Sequence, residues 1–361
     1  MSPDPWALAD FDYPLPPELV AQTPAPRRDA SRLMVLDRTA RTITLDTFTH
    51  LDRWLRAGDL LVANDTRVFP ARLWGRKATG GRVEVLLLER LAASAENDHF
   101  QEDWACLASA SKRPRAGVTV TFGEGGAPAM TGCFLAEEAD RFTIRLTAAD
   151  PIRAVLERIG QPPLPPYIHR RKGAPLLSED RERYQTVYAR EEGAIAAPTA
   201  GLHFTPDLLE RLSAQGIAVV YLTLHVGHGT FKPIATPDVR RHTIPPERYS
   251  LSPAVATAVN QAREAGRRVV AVGTTSVRAL ESAADASGRV QAGAGSTDLF
   301  LRPGVAFRVI NALITNFHLP KSSLLVLACA FAGRDFLLEA YARAVQARFR
   351  FYSYGDAMLI Q

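Results

Sequence analysis

The chain has 361 residues, 47% of them hydrophobic and 22% charged, with 43 Lys and Arg against 38 Asp and Glu. That is an ordinary soluble composition, long enough for two domains and large cores, and its formal charge of +5 permits a polyanionic partner without demanding one. The three cysteines, Cys106, Cys133 and Cys329, have no metal-type spacing and point to a reduced compartment without structural disulfides.

The opening run MSPDPWALADFDYPLPPELV lacks a basic start and an apolar core, so it does not read as a signal peptide. The run AGDLLVANDTRV is an apolar strand ending in Asn64, Asp65, Thr66 and Arg67. From Arg72 to about Ala149 the pattern turns to β. GGRVEVLLLER, DWACLASA, VTVTFG, MTGCFLAEE and DRFTIRLT carry β-branched or aromatic residues between Gly, Pro, Ser and charged turns, a spacing that suggests a small antiparallel barrel. GEGG at 123–126 lies within this unit and reads as a turn, not a phosphate cradle. Asp150 and Pro151 then cap a helix, DPIRAVLERIG, and the rigid linker QPPLPPYI follows.

AAPTAGLHFTPDLLERL places His203 between Gly201 and a helix start. Thr205 is an N-cap type, Pro206 suits the first helical position, and Asp207 complements the macrodipole. Leu208, Leu209 and Leu212 share a face until Gly216 stops the helix. Unpaired N–H groups at that end disfavour an imidazolium, so His203 is expected neutral, as a base or hydrogen-bond donor; alternatively it fills a turn between core residues Leu202 and Phe204.

Further on, GIAVVYLTLHVGHGTF is a strand ending in His225, Gly227, His228, Gly229 and Thr230. RRVVAVGTTSVRALES gives a strand, then Gly273, Thr274 and Thr275, then a helix carrying Arg278. FRVINALITNFHLPKSSLLVLACAF gives a strand, then Asn316, Phe317 and His318, then a helix whose most apolar run, 323–333, is too short to span a bilayer. No membrane partner is expected, and the expected location is the cytoplasm. In open α/β sheets ligands collect beyond the carboxyl ends of the strands, so these strand ends predict one shared pocket. Both flanks of the β unit mix helix and strand. The expected fold is therefore an α/β sandwich-type domain formed by 1–70 and 151–361, interrupted by an inserted small antiparallel β-barrel at 71–150.

Several chemistries compete. His225 and His228 are three residues apart, and His203, His242 and His318 occupy similar junctions, so a metal-dependent hydrolase built on the histidine cluster stays open; yet neither HExxH nor paired CxxC is present, and no metal is expected. Ser276 lacks a GxSxG elbow, and no phosphate-loop or dinucleotide glycine motif follows a strand. Thr274, Thr275 and Ser276 either present hydroxyls and amides to an anion or simply cap their helix. The basic clusters SKRPRAG (111–117), YIHRRKG (167–173) and RFRFY (348–352) leave a non-catalytic RNA-binding module as a further reading.

NDTRVFPARLWG, APTAGLHFT, LHVGHGTFKP, VGTTSVRALES and NALITNFHLPKSSLLVLACAFAG, in that order, resemble the signature blocks of the S-adenosylmethionine:tRNA ribosyltransferase-isomerases of queuosine synthesis. FDYPLPPELVAQTPAPRRDASRLMVLDR and RFRFYSYGDAMLI extend the likeness over nearly the whole chain. The resemblance implies an α/β domain interrupted by a small barrel, with no metal or bound organic cofactor. It implies a tRNA partner whose anticodon loop carries 7-aminomethyl-7-deazaguanine at the wobble position, with S-adenosylmethionine as co-substrate. The ribosyl group is transferred and rearranged to give epoxyqueuosine, and adenine and methionine leave.

The sulfonium acidifies the adjacent ribose methylene, so such a reaction needs a neutral base, a donor for departing adenine and room for an oxyanion that displaces methionine. The resemblance implies that His203 accepts a proton or orients the ribose, with Thr199, His225 and His318 as the other catalytic candidates. Asp65 and Arg67 bind the methionine ammonium and carboxylate, or instead form a strand-end ion pair. Thr275, Asn316 and His228 line the cavity, Arg278 grips an anticodon-loop phosphate, and Phe317, Tyr167 and Phe231 stack on bases or pack in the core. Two positions depart from the family pattern. His228 stands between the glycines where a small residue is usual, and Pro245 replaces the second histidine of an HxMHxE stretch in which His242 and Glu247 remain. Whether His228 takes that histidine's place in space is left to the structure.

Overall fold

Strands that are apolar along their whole length need cover on both faces, and the computed structural model supplies it. It describes residues 6–96, 99–123, 128–139, 141–170, 178–231 and 233–361, without the side chains of 95, 96, 178, 230 and 231. Among the described residues a nine-stranded mixed sheet runs in the order Gly293–Thr297, Glu247–Leu251, Ala218–Leu224, Leu60–Asn64, Val269–Val272, Ala312–Asn316, Ala357–Ile360, Arg32–Asp37 and Thr42–Thr47. Ala218–Leu224, Leu60–Asn64, Val269–Val272 and Ala312–Asn316 are mutually parallel, with Leu222 beside Asn64, Val272 beside Ala63 and Ile314 beside Val272. Alternate residues face opposite layers. Leu61, Ala63, Val270, Val272 and Ile314 pack with Leu208 and Leu212 of helix Pro206–Ala214. Leu60, Val62, Ala271 and Leu313 pack with Val259, Val277, Leu280 and Leu325 from the helices of the other face.

The strand Ala357–Ile360 lies between Ala312–Asn316, to which it is antiparallel, and Arg32–Asp37, to which it is parallel. Asp356 locks this joint by accepting from the Arg32 and Arg350 backbone N–H groups at 2.9 and 2.8 Å.

Arg141–Ala148, His99–Ala110, Arg82–Glu96, Arg72–Lys77, Thr119–Phe122 and Met130–Glu138 join through antiparallel ladders into a closed barrel. Leu73, Val85, Leu87, Phe122, Phe134 and Ile144 fill its interior. Gly75 and Gly132 make room for the Phe122 ring, which a Cβ at either position would meet at 2.8 or 2.9 Å. The strand Arg72–Lys77 begins where the β pattern is expected to start, although its charged residues and Gly75 hide the alternation. Residues 124–126 of the GEGG turn lie outside the described residues. Helix Ile152–Ile159 forms where expected, but Asp150 does not cap it; Pro151 occupies the N-cap and Asp150 pairs with Arg158 at 3.1 Å. The chain enters and leaves the barrel side by side, since Arg72 and Gln161 exchange backbone hydrogen bonds of 3.0 and 2.9 Å. Among the described residues no helix is long and apolar enough to cross a membrane.

Candidate active site

Parallel strands in adjacent register bring their carboxyl ends to one rim. Asn64 ties that rim together. Its Nδ2 donates to the Leu224 carbonyl at 2.9 Å and to Thr275 Oγ1 at 3.2 Å, and its Oδ1 accepts from the N–H groups of Leu224 at 3.0 Å and Thr66 at 3.1 Å. Segments from three places in the chain thus share one buried amide, in line with the strand-end pattern.

Behind this rim lies a cavity with about 710 Å³ of empty volume, part of it open to solvent, walled by Thr199, Thr275, Asn316, His318, Tyr167 and Tyr352 among others. Gly273, at φ +88°, turns the chain from its strand into helix Thr274–Ala283, and no side chain caps that helix, so its first amides stand uncapped at the cavity wall. Thr275 takes its hydrogen bond from Asn64 and keeps its own hydroxyl proton to give. His318 is buried; its Nε2 lies 2.8 Å from Thr315 Oγ1. Tyr167 and Tyr352 lie with ring centroids 4.5 Å apart, and the Tyr167 hydroxyl is 2.6 Å from Ser353 Oγ.

His203 does not line this cavity. It belongs to a short turn, Thr199–His203, and sits behind Asn316 beside Arg28 and Ser31. Asn316 Nδ2 donates to His203 Nε2 at 3.1 Å and to the Tyr352 carbonyl at 3.2 Å. His203 Nδ1 therefore carries the ring proton, which goes to Ser31 Oγ at 2.7 Å. Helix Pro206–Ala214 starts as read, with Thr205 Oγ1 accepting from Leu208 N at 3.1 Å. The neutral state of His203 has a different main cause from the helix end, however. Burial pushes its pKa down to about 3, and the Arg28 and Arg350 guanidinium groups add to this. Burial also pushes His318 down to about 3.

These imidazoles make stability fall on mild acidification. In the unfolded chain they take up protons near the ordinary value of 6.5, whereas in the fold they do not until about pH 3, so the unfolded state gains protons as pH falls through that window. Lowering pH from about 7.5 to 6.0 should cost roughly 1 kcal/mol for each of the two. His225 and His242, also held low by burial, add to the loss. Urea midpoints at the two pH values test this, and a flat profile would contradict it, because carboxylates titrate lower.

A second cavity, with about 700 Å³ of empty volume, lies between the barrel and the sheet and shares Val226 with the first. His225, His228, Pro245, Glu247 and Arg248 stand on its wall, with Glu89 and Arg141 from the barrel. His225 Nδ1 is 2.9 Å from Thr66 Oγ1, and a Cβ on Gly193 would meet its ring at 2.8 Å. Burial and the Arg248 guanidinium keep His225 neutral, against an opposing pull from Glu191. Pro245 packs so closely on Gly229 that a Cβ there would lie 2.8 Å from it. His228 and Pro245 thus share one wall.

Other candidates are committed to the fold. Arg278, 4% exposed, forms an ion pair with Glu247 and donates to the carbonyls of Leu299 at 3.0 Å and Thr297 at 3.1 Å. With those partners it has no free face for an anticodon-loop phosphate. Asp65, 1% exposed, accepts from Arg190 and from the Thr223 hydroxyl, both at 2.7 Å, so the strand-end ion pair is with Arg190; Arg67 is exposed. Phe317 is fully buried among Tyr341, Phe349 and Phe351, so its ring packs in the core and cannot stack on a base. The Phe231 side chain lies outside the described residues, as do Lys232 and 171–173 of the basic cluster. Of the other basic clusters, Arg113 pairs with Glu137 at 2.5 Å, and Phe349 and Phe351 are core. Among the described residues no three His, Cys, Asp or Glu side chains converge as metal ligands. Sequence reading missed Ser31, Thr315, Tyr352 and Ser353. They lie in or beside the quoted blocks, but hydroxyls and a carbonyl carry no spacing signal.

The model of a family described as "Queuosine biosynthesis protein" matches residues 8–360. The chain is 53% identical over 354 residues to the S-adenosylmethionine:tRNA ribosyltransferase-isomerase of Syntrophotalea carbinolica, covering 98% of this chain and 99% of that one. It is 52% identical over 353 residues to the protein of the same name from Citrifermentans bemidjiense, again covering 98% and 99%. The crystal structure of S-adenosylmethionine tRNA ribosyltransferase from Thermotoga maritima is similar with a TM-score of 0.55 and 36% identity, over 98% of this chain and 100% of that chain.

Proposed function

The chain belongs to the queuosine biosynthesis protein family, and from that premise we infer that it is an S-adenosylmethionine:tRNA ribosyltransferase-isomerase. It transfers and isomerises the ribosyl group of S-adenosylmethionine onto tRNA, with release of adenine and methionine. The acceptor is 7-aminomethyl-7-deazaguanine at the wobble position of the anticodon loop, and the product is epoxyqueuosine. An inserted barrel at 71–150 forms part of the acceptor side.

The observation that carries this reading is the pair of cavities meeting at Val226 on the strand rim. The inner one suits the donor. Uncapped amides of helix Thr274–Ala283 face a carboxylate, the Thr275 hydroxyl donates, and the tyrosine pair gives apolar cover to a nucleoside. The outer one, open toward the barrel, takes the bared nucleobase. His225, half-buried and held neutral at the junction, is the side chain best placed to take a proton from the methylene next to the sulfonium. His318 assists from the inner wall.

Incubating the protein with S-adenosylmethionine and tRNA bearing 7-aminomethyl-7-deazaguanine should release adenine and give an epoxycyclopentane adduct by mass spectrometry of the anticodon nucleosides. Unmodified tRNA should give neither. Adenine release without an adduct, or no turnover at all, would reject the reading.

A further inference from the structure

Asn316 is 2% exposed and stands on the wall of the inner cavity. Both N–H bonds of its amide are spent on His203 Nε2 and on the Tyr352 carbonyl. Its Oδ1, buried as well, has no hydrogen-bond partner among the described residues. A buried amide oxygen is costly to leave unpaired, and the simplest escape, rotating the amide by half a turn, is blocked. Rotation would set Oδ1 against the lone pair of His203 Nε2 and the Tyr352 carbonyl oxygen, acceptor against acceptor. A switch of the His203 proton, with the Ser31 hydroxyl then donating to Nδ1, would not free the rotation, because Oδ1 would still meet the Tyr352 carbonyl oxygen. The clamp therefore fixes the amide with Oδ1 as the atom left to pair, on a residue that lines the cavity.

We propose that Asn316 Oδ1 is the acceptor that reads an N–H group of the S-adenosylmethionine donor, and that His203 is a positioning residue that holds the amide in this orientation. The donor molecule offers two such groups, the adenine 6-amino group and the methionine ammonium. Either satisfies the oxygen. This inference rests on S-adenosylmethionine being the donor. It assigns His203 no part in proton transfer, in keeping with an imidazole that burial holds at about 3.

The test is equilibrium binding to the pure full-length protein of S-adenosylmethionine and of two analogues, one with hydrogen in place of the adenine 6-amino group and one with hydrogen in place of the α-ammonium. Wild type should bind one analogue about 10–100-fold more weakly than the parent. Asn316→Ala should bind the parent more weakly by a similar factor and no longer distinguish that analogue, and the analogue that shows the coupling names the N–H group. His203→Gln can still accept from Asn316 Nδ2 through its side-chain oxygen, so it should keep kcat and its pH profile. His203→Leu should raise the KM for the donor about 10–100-fold with a smaller change in kcat.

The proposal is overturned if Asn316→Ala discriminates both analogues as wild type does, or if His203→Gln loses kcat together with a limb of the pH profile, as removal of a base would cause. Should the variants fail to fold, the wild-type comparison decides: equal affinity for the parent and both analogues overturns the proposal. Failure of these arms with wild-type adenine release intact removes this inference alone. No binding and no turnover in wild type would remove the functional reading and the inference together.

Discussion

Arg278→Ala is expected to destabilise the fold by about 3–5 kcal/mol, the cost of breaking a buried ion pair from one side. Both partners are 4% exposed. The alanine would take the Arg278 guanidinium away from the Glu247 carboxylate while stripping donors from the Leu299 and Thr297 carbonyls. Because Glu247 Oε1 also accepts from the Gly227 backbone at 2.7 Å, the damage should reach the His225–Gly229 loop and lower turnover in whatever protein remains folded. Denaturant unfolding of Arg278→Ala and of Arg278→Met paired with Glu247→Leu separates charge from packing. The double variant should recover only part of the lost stability, because it removes both members of this ion pair but still takes these partners from the Gly227 N–H and the Leu299 and Thr297 carbonyls. A single variant within about 1 kcal/mol of wild type would show that this pair is hydrated in solution.

Asn64→Ala should cost on the order of 3–4 kcal/mol, because the side chain makes four hydrogen bonds whose partners are buried backbone or hydroxyl groups. The chemical consequence should exceed the stability loss. Leu224, Thr66 and Thr275 belong to the segments that carry His225, the Asp65 ion pair and the start of helix Thr274–Ala283, so freeing them from one another blurs both cavities at once. Adenine release is expected to fall by at least about 100-fold, as misplacement of reacting groups by an ångström or so does. Urea unfolding and a turnover assay at a temperature where the variant is folded test the two parts; near-normal turnover would show that the rim holds its shape without this amide.

How much of this was legible in the letters depends on the range of the interaction. Thr205, Pro206 and Gly216 marked a helix correctly because capping is local. The apolar runs ending in Asn64, His225, Gly273 and Asn316 marked parallel strands because cover on both faces leaves a continuous hydrophobic signature. Arg72–Lys77 falls inside the expected β unit but shows no clear run of its own, since Gly75 and the charges on its open face break the period. Arg278 and Phe317 looked available because nothing nearby in sequence shows that Glu247 or the Phe349 and Phe351 pair will reach them. The letters suggest an uncharged His203 at a helix end, whereas burial is the main cause that lowers its pKa. Its place one residue behind the cavity follows from Asn316 and Ser31, partners remote in sequence that no spacing rule brings together.

The position of Ala357–Ile360 between Ala312–Asn316 and Arg32–Asp37 has a bearing on biosynthesis. On the ribosome Arg32–Asp37 emerges early with only Thr42–Thr47 as a neighbour, and its other edge stays bare until the stretch near residue 360 has been made. Ser31 and Tyr352, which bracket that late closure, are the groups that steady His203 and Asn316. A nascent chain interrupted before this point would thus carry most of its helices yet lack an ordered inner cavity, and chemistry on a nucleic acid would be withheld from unfinished copies.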